Sequence, residues 1–383
     1  MNISDIGASC VGCGLCVEVC PKQCIRLRGD SEGFLQPIID SEACVNCGVC
    51  KKKCPVNQPQ IKIEPFTAYA VKAKDEESRL KSASGGAAAT FAEKVIDDGG
   101  FFTGVVYDEK FNVVHEVCRE KNKIDLFRDS KYVQSDMNGI YKKIGELLND
   151  GKQVFATGTP CQIAALRSRY GNENKNLILC DFVCTGVSTP ELIKKYIAFV
   201  EHSEKKKVKN IYLRDKTNGW KNSNVRFVFD DDSQKIVLRE NCEFYNFALS
   251  SAVRNSCYSC KFKNFNIYSD ITIGDYWGID KKYPDFNDNK GCSLVMINTE
   301  RGSSFFEKTL PYFDVVETGV DFAIETHPKL LKSIGKDINR SAFFGDFRKT
   351  DSPESFKKLV KLYTSKDIIS TIKRKLKYMK IGE

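Results

Sequence analysis

One cysteine pattern is written twice near the start of the chain: Cys10-x2-Cys13-x2-Cys16-x3-Cys20-Pro21 and Cys44-x2-Cys47-x2-Cys50-x3-Cys54-Pro55. Two-residue gaps bring three sulfurs to one corner, and the fourth cysteine of each run reaches across to the other set. This is the spacing with which paired [4Fe–4S] clusters are bound. The expected ligand sets are Cys10, Cys13, Cys16 and Cys54 for one cluster, and Cys44, Cys47, Cys50 and Cys20 for the other. Gly12, Gly14 and Gly48 let the backbone turn so that amide hydrogens face the sulfurs. A pair of structural zinc sites is the competing reading, since Cys-x2-Cys alone also suits zinc.

A two-cluster ferredoxin accounts for only part of 383 residues, so two or three domains are expected. The composition, 42% hydrophobic, supports a real core. Seventeen cysteines, with neither a basic n-region nor an apolar h-region in MNISDIGASC, point to metal-bound thiols in a reducing cytoplasm rather than to disulfides. No apolar run is long enough to span a bilayer. Net charge is +9. Residues 346–383 form a basic tail whose apolar spacing suits amphipathic helices, either packed on the domain or in weak contact with a membrane surface. No basic groove interleaved with aromatics suggests nucleic acid.

The ferredoxin-type module spans residues 1–60 and ends in the proline-marked linker PVNQPQIKIEP. Strands then alternate with helices. Thr67–Lys72, Phe101–Tyr107, Val113–Cys118, Gln153–Ala156 and Leu177–Cys180 read as strands, and Ala87–Asp98, Met137–Asn149 and Gln162–Tyr170 as helices. That is an α/β core over residues 61–190. Residues 191–345 add a strand-rich piece, a helix Phe244–Arg254, the pair Cys257-x2-Cys260, and strands at Ile271–Ile273 and Leu294–Asn298.

Several phrases follow in a telling order: Lys131-Tyr-Val-Gln-Ser135, Gly158-Thr-Pro-Cys-Gln-Ile163, Val183-Cys-Thr-Gly186, Cys257-Tyr-Ser-Cys260 and Asp270-Ile-Thr-Ile-Gly-Asp-Tyr-Trp-Gly278. Behind a two-cluster ferredoxin, this order resembles the beta subunit of coenzyme F-420 hydrogenase/dehydrogenase. The resemblance implies an α+β ferredoxin-like dicluster module followed by an α/β flavoprotein domain with a mixed sheet. It implies an oxidoreductase that moves electrons between iron–sulfur clusters and a flavin, FAD in preference to FMN. The partners implied are an electron-donor protein or partner subunit and a deazaflavin or other small organic substrate. A non-catalytic electron-transfer subunit and a cluster-based sensor are the alternatives.

Ser84-Gly85-Gly86 opens a helix where a phosphate could approach the backbone, and the resemblance supports a flavin contact there. An ordinary N-cap turn is the simpler reading. Gly158, Thr159 and Pro160 form a second strand-to-helix turn of the same kind. Lys131, Tyr132, Gln134 and Ser135 offer donors to a flavin, and Lys131 beside the ring could stabilise its reduced form. Arg214 and Lys216 beside Trp220 make a substrate-facing pair of cations, or a solvated loop. Asp275 either orients a donor or closes an Asx turn.

Nine cysteines remain outside the ferredoxin pattern. Cys24, Cys118, Cys180, Cys242 and Cys292 read as small buried hydrophobes. Cys161, Cys184, Cys257 and Cys260 each fall in a family phrase, and the resemblance implies a third [4Fe–4S] cluster on them. Zinc on these four, or a redox-active Cys161 thiol at a helix start, are the alternatives.

Overall fold

The computed structural model describes residues 2–59, 62–137 and 139–364. In the first module, Gly14 and Gly48 sit in the left-handed region, at φ +76° and +77°, and turn the chain into the short helices Leu15–Glu18 and Val49–Lys53. Strands β1 (Ile25–Gly29) and β2 (Leu35–Ile39) pair antiparallel, with Ile25 opposite Ile39. Their hairpin lies between the two cysteine runs, where the sequence pattern puts it.

Five strands follow up to residue 182: β3 (Thr67–Ala73), β4 (Phe101–Tyr107), β5 (Val113–Cys118), β6 (Val154–Gly158) and β7 (Leu177–Phe182). A separate antiparallel sheet holds β8 (Val208–Asp215), β9 (Asn224–Phe229) and β10 (Gln234–Leu238). The chain then adds β11 (Ile271–Asp275), β12 (Ser293–Ile297) and β13 (Phe313–Glu317). The large sheet runs β13-β3-β12-β11-β7-β6-β4-β5. Its centre, β11-β7-β6-β4, is parallel, and the strands on either side are antiparallel, so the sheet is mixed as expected. The central strands are near-continuous apolar runs, because both faces are covered.

Alternation along the strands sorts the two faces. Phe155, Ile178 and Cys180 pack with the helix Ala87–Asp97 and with Phe305 and Phe306, while Val154, Ala156, Leu177 and Leu179 pack with helices Ile140–Asn149 and Pro160–Tyr170. Phe91 is fully buried and meets the rings of Phe155, Phe305, Phe306 and Phe313 at centroid distances of 5.6–6.3 Å.

Three expectations need correction. The large sheet draws strands from both sides of residue 190, so 61–190 and 191–345 share one framework. The helix Arg340–Phe347 runs straight across residue 346, and Phe343, Phe344 and Phe347 join Phe356 and Leu359 in one core, so the chain does not pass into a separate tail there. Helix Pro353–Thr364 packs on helix Pro190–Glu204 through Phe356, and the rest of the expected basic tail lies outside the described residues. The helix expected over Phe244–Arg254 is one turn, Glu243–Asn246, followed by a wider turn kinked at Leu249. Ser250 Oγ there donates back to the Asn246 carbonyl, a local bond that competes with regular helix.

Phe91→Ala opens a cavity among four rings and should destabilise the protein by about 3–5 kcal/mol. A lower urea midpoint at unchanged m-value checks this.

Candidate functional site

The ends of the parallel strands set the site. β6 and β7 finish side by side, with Gly158 opposite Asp181, and Phe182 pairs with Ile273 of β11. The turns that follow carry Cys161 and Cys184 to the same edge, where open α/β sheets gather their ligands.

Three sets of sulfurs are assembled. In the first, the charges of Cys10, Cys13, Cys16 and Cys54 all act on one another, and a small cavity is lined by all four. Cys54 comes from the second run, so the crossover read from the sequence is present. The Gly12 amide donates to Cys10 Sγ at 3.4 Å. The second cavity is lined by Cys20, Cys44, Cys47 and Cys50. It also takes in Cys24, whose Sγ is 3.4 Å from that of Cys20, so Cys24 is not merely a core filler. Cys47 is exposed, and the second set is the outermost.

The third set is Cys161, Cys184, Cys257 and Cys260. Every pair among them interacts electrostatically, and burial raises all four thiol pKa values, Cys257 to about 12. At Cys161 burial outweighs the helix N-terminus expected to lower its pKa, which is the wrong direction for a reactive thiol. The Gly186 amide donates to Cys184 Sγ at 3.3 Å, the same residue-plus-two bond seen at Cys10. Among the described residues, no three His, Cys, Asp or Glu side chains converge as the ligands of one ion do. Such convergence is what zinc requires, whereas a four-iron cube holds its thiolates further apart. Cys54 of the first set shares an apolar cluster with Cys161 and Cys260.

A cavity of about 280 Å³ begins at Cys184. Its walls include Ser84, Gly86, Ala87, Ala88, Ala89, Arg128, Asp129, Lys131, Tyr132, Ser135, Thr157, Thr159, Phe182 and Asp275. Gly86, at φ +93°, starts the eleven-residue helix Ala87–Asp97 with no side-chain cap, so first-turn amides are open where that helix lines the cavity. Asp129 and Tyr132 are both left-handed, at φ +71° and +55°, an uncommon backbone held in place at the wall. Asp129 Oδ1 is buried without a partner. These features fit an anionic, ring-bearing ligand such as a flavin. The volume suits the ring system more than a whole dinucleotide.

Several expected residues stand elsewhere. Gly85 packs on β3 and β12, where a Cβ would come within 2.5 Å of Val71 O and Ser293 N. Ser84 Oγ donates to the Cys292 carbonyl. Gly158 and Pro160 do not line the cavity, and their helix is closed by its own capping box: Thr159 N donates to Gln162 Oε1 at 3.0 Å. Gln134 belongs to the module interface, accepting from Leu35 N at 2.9 Å and donating to the Gly12 carbonyl at 3.3 Å. Lys131 lines the cavity, but its Nζ donates to the carbonyls of Leu126, Arg128 and Asp129, and burial lowers its pKa to about 8 against the pull of Asp129.

Arg214 and Lys216 are buried, not substrate-facing. Arg214 grips Asp275 through two bonds of 2.9 and 3.0 Å and donates to the Ala83 carbonyl. Asp275 also takes the Trp220 indole N–H at 2.8 Å, so it orients donors rather than closing a turn. Trp220 is fully buried, stacked on Trp277 at 4.4 Å. Lys216 Nζ donates to the carbonyls of Arg79, Ser84 and Lys290 at 2.6–2.8 Å. Burial pushes its pKa down to about 7, with Arg79 adding repulsion, while the three carbonyls favour the ammonium. Both cations therefore position the 83–86 loop. Sequence reasoning missed Arg128, Asp129 and the alanines Ala87–Ala89, although the first two immediately precede the Lys131 phrase.

Cysteine sets and mixed sheet define the class: an iron–sulfur electron-transfer protein with a dicluster module ahead of an α/β domain. Residues 9–58 match the family model of the 4Fe-4S dicluster domain. Residues 151–315 match the model for the C terminus of the coenzyme F420 hydrogenase/dehydrogenase beta chain, so the family read from the sequence phrases is the family found, and its name is that of an oxidoreductase. One chain in the solved F420-reducing [NiFe] hydrogenase complex of Methanosarcina barkeri, a xenon derivative, is 18% identical. The match covers 71% of this chain and 91% of that one, with a TM-score of 0.47. No curated protein matches. No helix among the described residues is long and apolar enough to cross a membrane.

Lys216→Met leaves three inward carbonyls without their donor, at about 1–3 kcal/mol each. The urea midpoint should fall, whereas iron content should not, because no cysteine ligand contacts this lysine.

Proposed function

We propose that this chain is an iron–sulfur flavoprotein oxidoreductase. The four sulfurs of Cys161, Cys184, Cys257 and Cys260 hold a third [4Fe–4S] cluster, and the 280 Å³ cavity takes a flavin. The observation that carries this reading is the double membership of two cysteines. Cys54 belongs to the first ferredoxin set and touches the third, and Cys184 belongs to the third set and lines the cavity. The order of sites from the exposed Cys47 inward is therefore second set, first set, third set, cavity.

Bound in the cavity, a flavin supplies the exchange between single electrons and hydride pairs. The protein's part is to bind and orient. Open amides at the start of Ala87–Asp97, with Arg128 and Lys131, suit phosphate or other negative charge. Asp129 Oδ1 supplies an acceptor for a ring N–H. Lys216 and Arg214 hold the Ala83 and Ser84 carbonyls so that the loop keeps its shape. Apolar walls at Phe182, Val183 and Ile273 exclude water. The family name supports a deazaflavin or related organic molecule as substrate, and a donor protein or partner subunit as electron source, in a reducing cytoplasm.

The test is anoxic purification of the full chain with flavin supplied. About twelve irons per chain and one non-covalent flavin are expected. Cys257→Ser with Cys260→Ser should lower iron by about four and leave the dicluster signals in place. Ala88→Trp should fill the cavity and empty it of flavin at unchanged iron. A chain that never holds flavin under these conditions refutes the flavoprotein reading. Eight irons in the unaltered chain refute the third cluster.

A further inference from the structure

Arg254 is 2% exposed and lies where the ferredoxin module meets the third cysteine set. Its Nε donates to the Cys10 carbonyl at 2.9 Å and one terminal nitrogen donates to the Leu35 carbonyl at 3.1 Å, with the Phe34 ring 5.3 Å from the guanidinium carbon. Its backbone faces the other way. Arg254 N donates to the Val187 carbonyl at 2.9 Å, in the loop that carries Cys184, and its own carbonyl accepts from Cys257 N at 3.0 Å. One residue thus bonds the ligand loops of both sets. The fit is close: a Cβ on Gly12 would come within 2.9 Å of the remaining nitrogen, Nη1.

Nη1 is buried without a partner, and Arg254 forms no ion pair among the described residues. A buried cation with no carboxylate is costly unless another anion faces it. The anions within reach are thiolates. The charge of Arg254 already acts on Cys257, opposing the burial that raises that thiol.

We propose that Arg254 couples the first ferredoxin cluster to the third, pinning their ligand loops together and raising the reduction potential of the iron–sulfur centres beside it. Net charge and hydrogen bonds near the sulfurs set such potentials, and an added electron is stabilised by a fixed positive charge. The inference rests on the third-cluster reading for one of its two centres only.

The test uses the full chain, purified anoxically, with iron analysis and a redox titration followed by EPR. Arg254→Gln should keep its iron and lower the midpoint of the first ferredoxin cluster. At a fixed poise, its reduced-to-oxidised ratio should drop about tenfold, about 59 mV for one electron. Arg254→Lys should recover part of the shift. Intact iron with unchanged midpoints in Arg254→Gln overturns the proposal. So does loss of iron from Arg254→Gln and Arg254→Met, with or without Arg254→Lys, because Arg254 is then a structural pin alone. If the unaltered chain holds eight irons, the third cluster fails, yet the midpoint of the first still decides the role of Arg254.

Discussion

Four thiolates cannot be buried together without a compensating charge, and much of this structure follows from that. Burial raises the thiols of Cys13 and Cys54 above their ordinary range and takes Cys16 to about 12. Iron binding must deprotonate them, so the free energy of metal binding is also free energy of folding. The module has little else to hold it, since Ile3, Ile25 and a few cysteines make up much of its own apolar cluster. The larger domain helps by clasping it: Tyr141 donates to the Cys13 carbonyl at 2.8 Å, and Arg340 pairs with Glu32 on the hairpin turn. The two units are joined at the ligand loops, where relative motion would change the spacing of the sulfurs.

The sheet solves a second problem, that of bringing residues distant in sequence to one place. Parallel strands all end on one side, and the loops after β6 and β7 deliver Cys161 and Cys184 there. β11 ends beside them with Asp275, which anchors Arg214 and Trp220. Arg214 in turn holds the loop before the helix Ala87–Asp97. The cavity wall is therefore a set of loops, each tied down by a buried cation or carboxylate.

Much of this is legible in the sequence, and the failures share a cause. The ferredoxin crossover is readable because cysteine spacing is itself the chemistry. The strands of the parallel core are readable because they are short apolar runs between turn residues. The fate of individual polar side chains is not. Gln134, Arg214 and Lys216 are donors in any reading, but the sequence does not say whether their partners are a ligand or distant carbonyls. The partners of Lys216 include residues 137 and 132 positions away. Ser84-Gly85-Gly86 and Gly158-Thr159-Pro160 look equivalent in sequence, yet Gln162 caps the second helix and no side chain caps the first. Cys24 escapes a reading by spacing because its neighbour Cys20 turns towards it only once the hairpin has folded.

Strand β3 carries a consequence for synthesis. It lies between β12 and β13, and both partners are encoded more than 200 residues later, with Val71 opposite Ser293 on one side and Val315 on the other. At a translation rate of about 5–20 residues per second, β3 waits roughly 10–45 s with both edges unpaired. The cysteine-rich module in front of it emerges first and needs no later strand for its hairpin. A ribosome making this chain therefore displays a cofactor-binding module attached to an unfinished sheet, and a bare strand edge invites pairing with other chains. The timing of iron delivery relative to elongation is thus a property that this topology exposes to the cell.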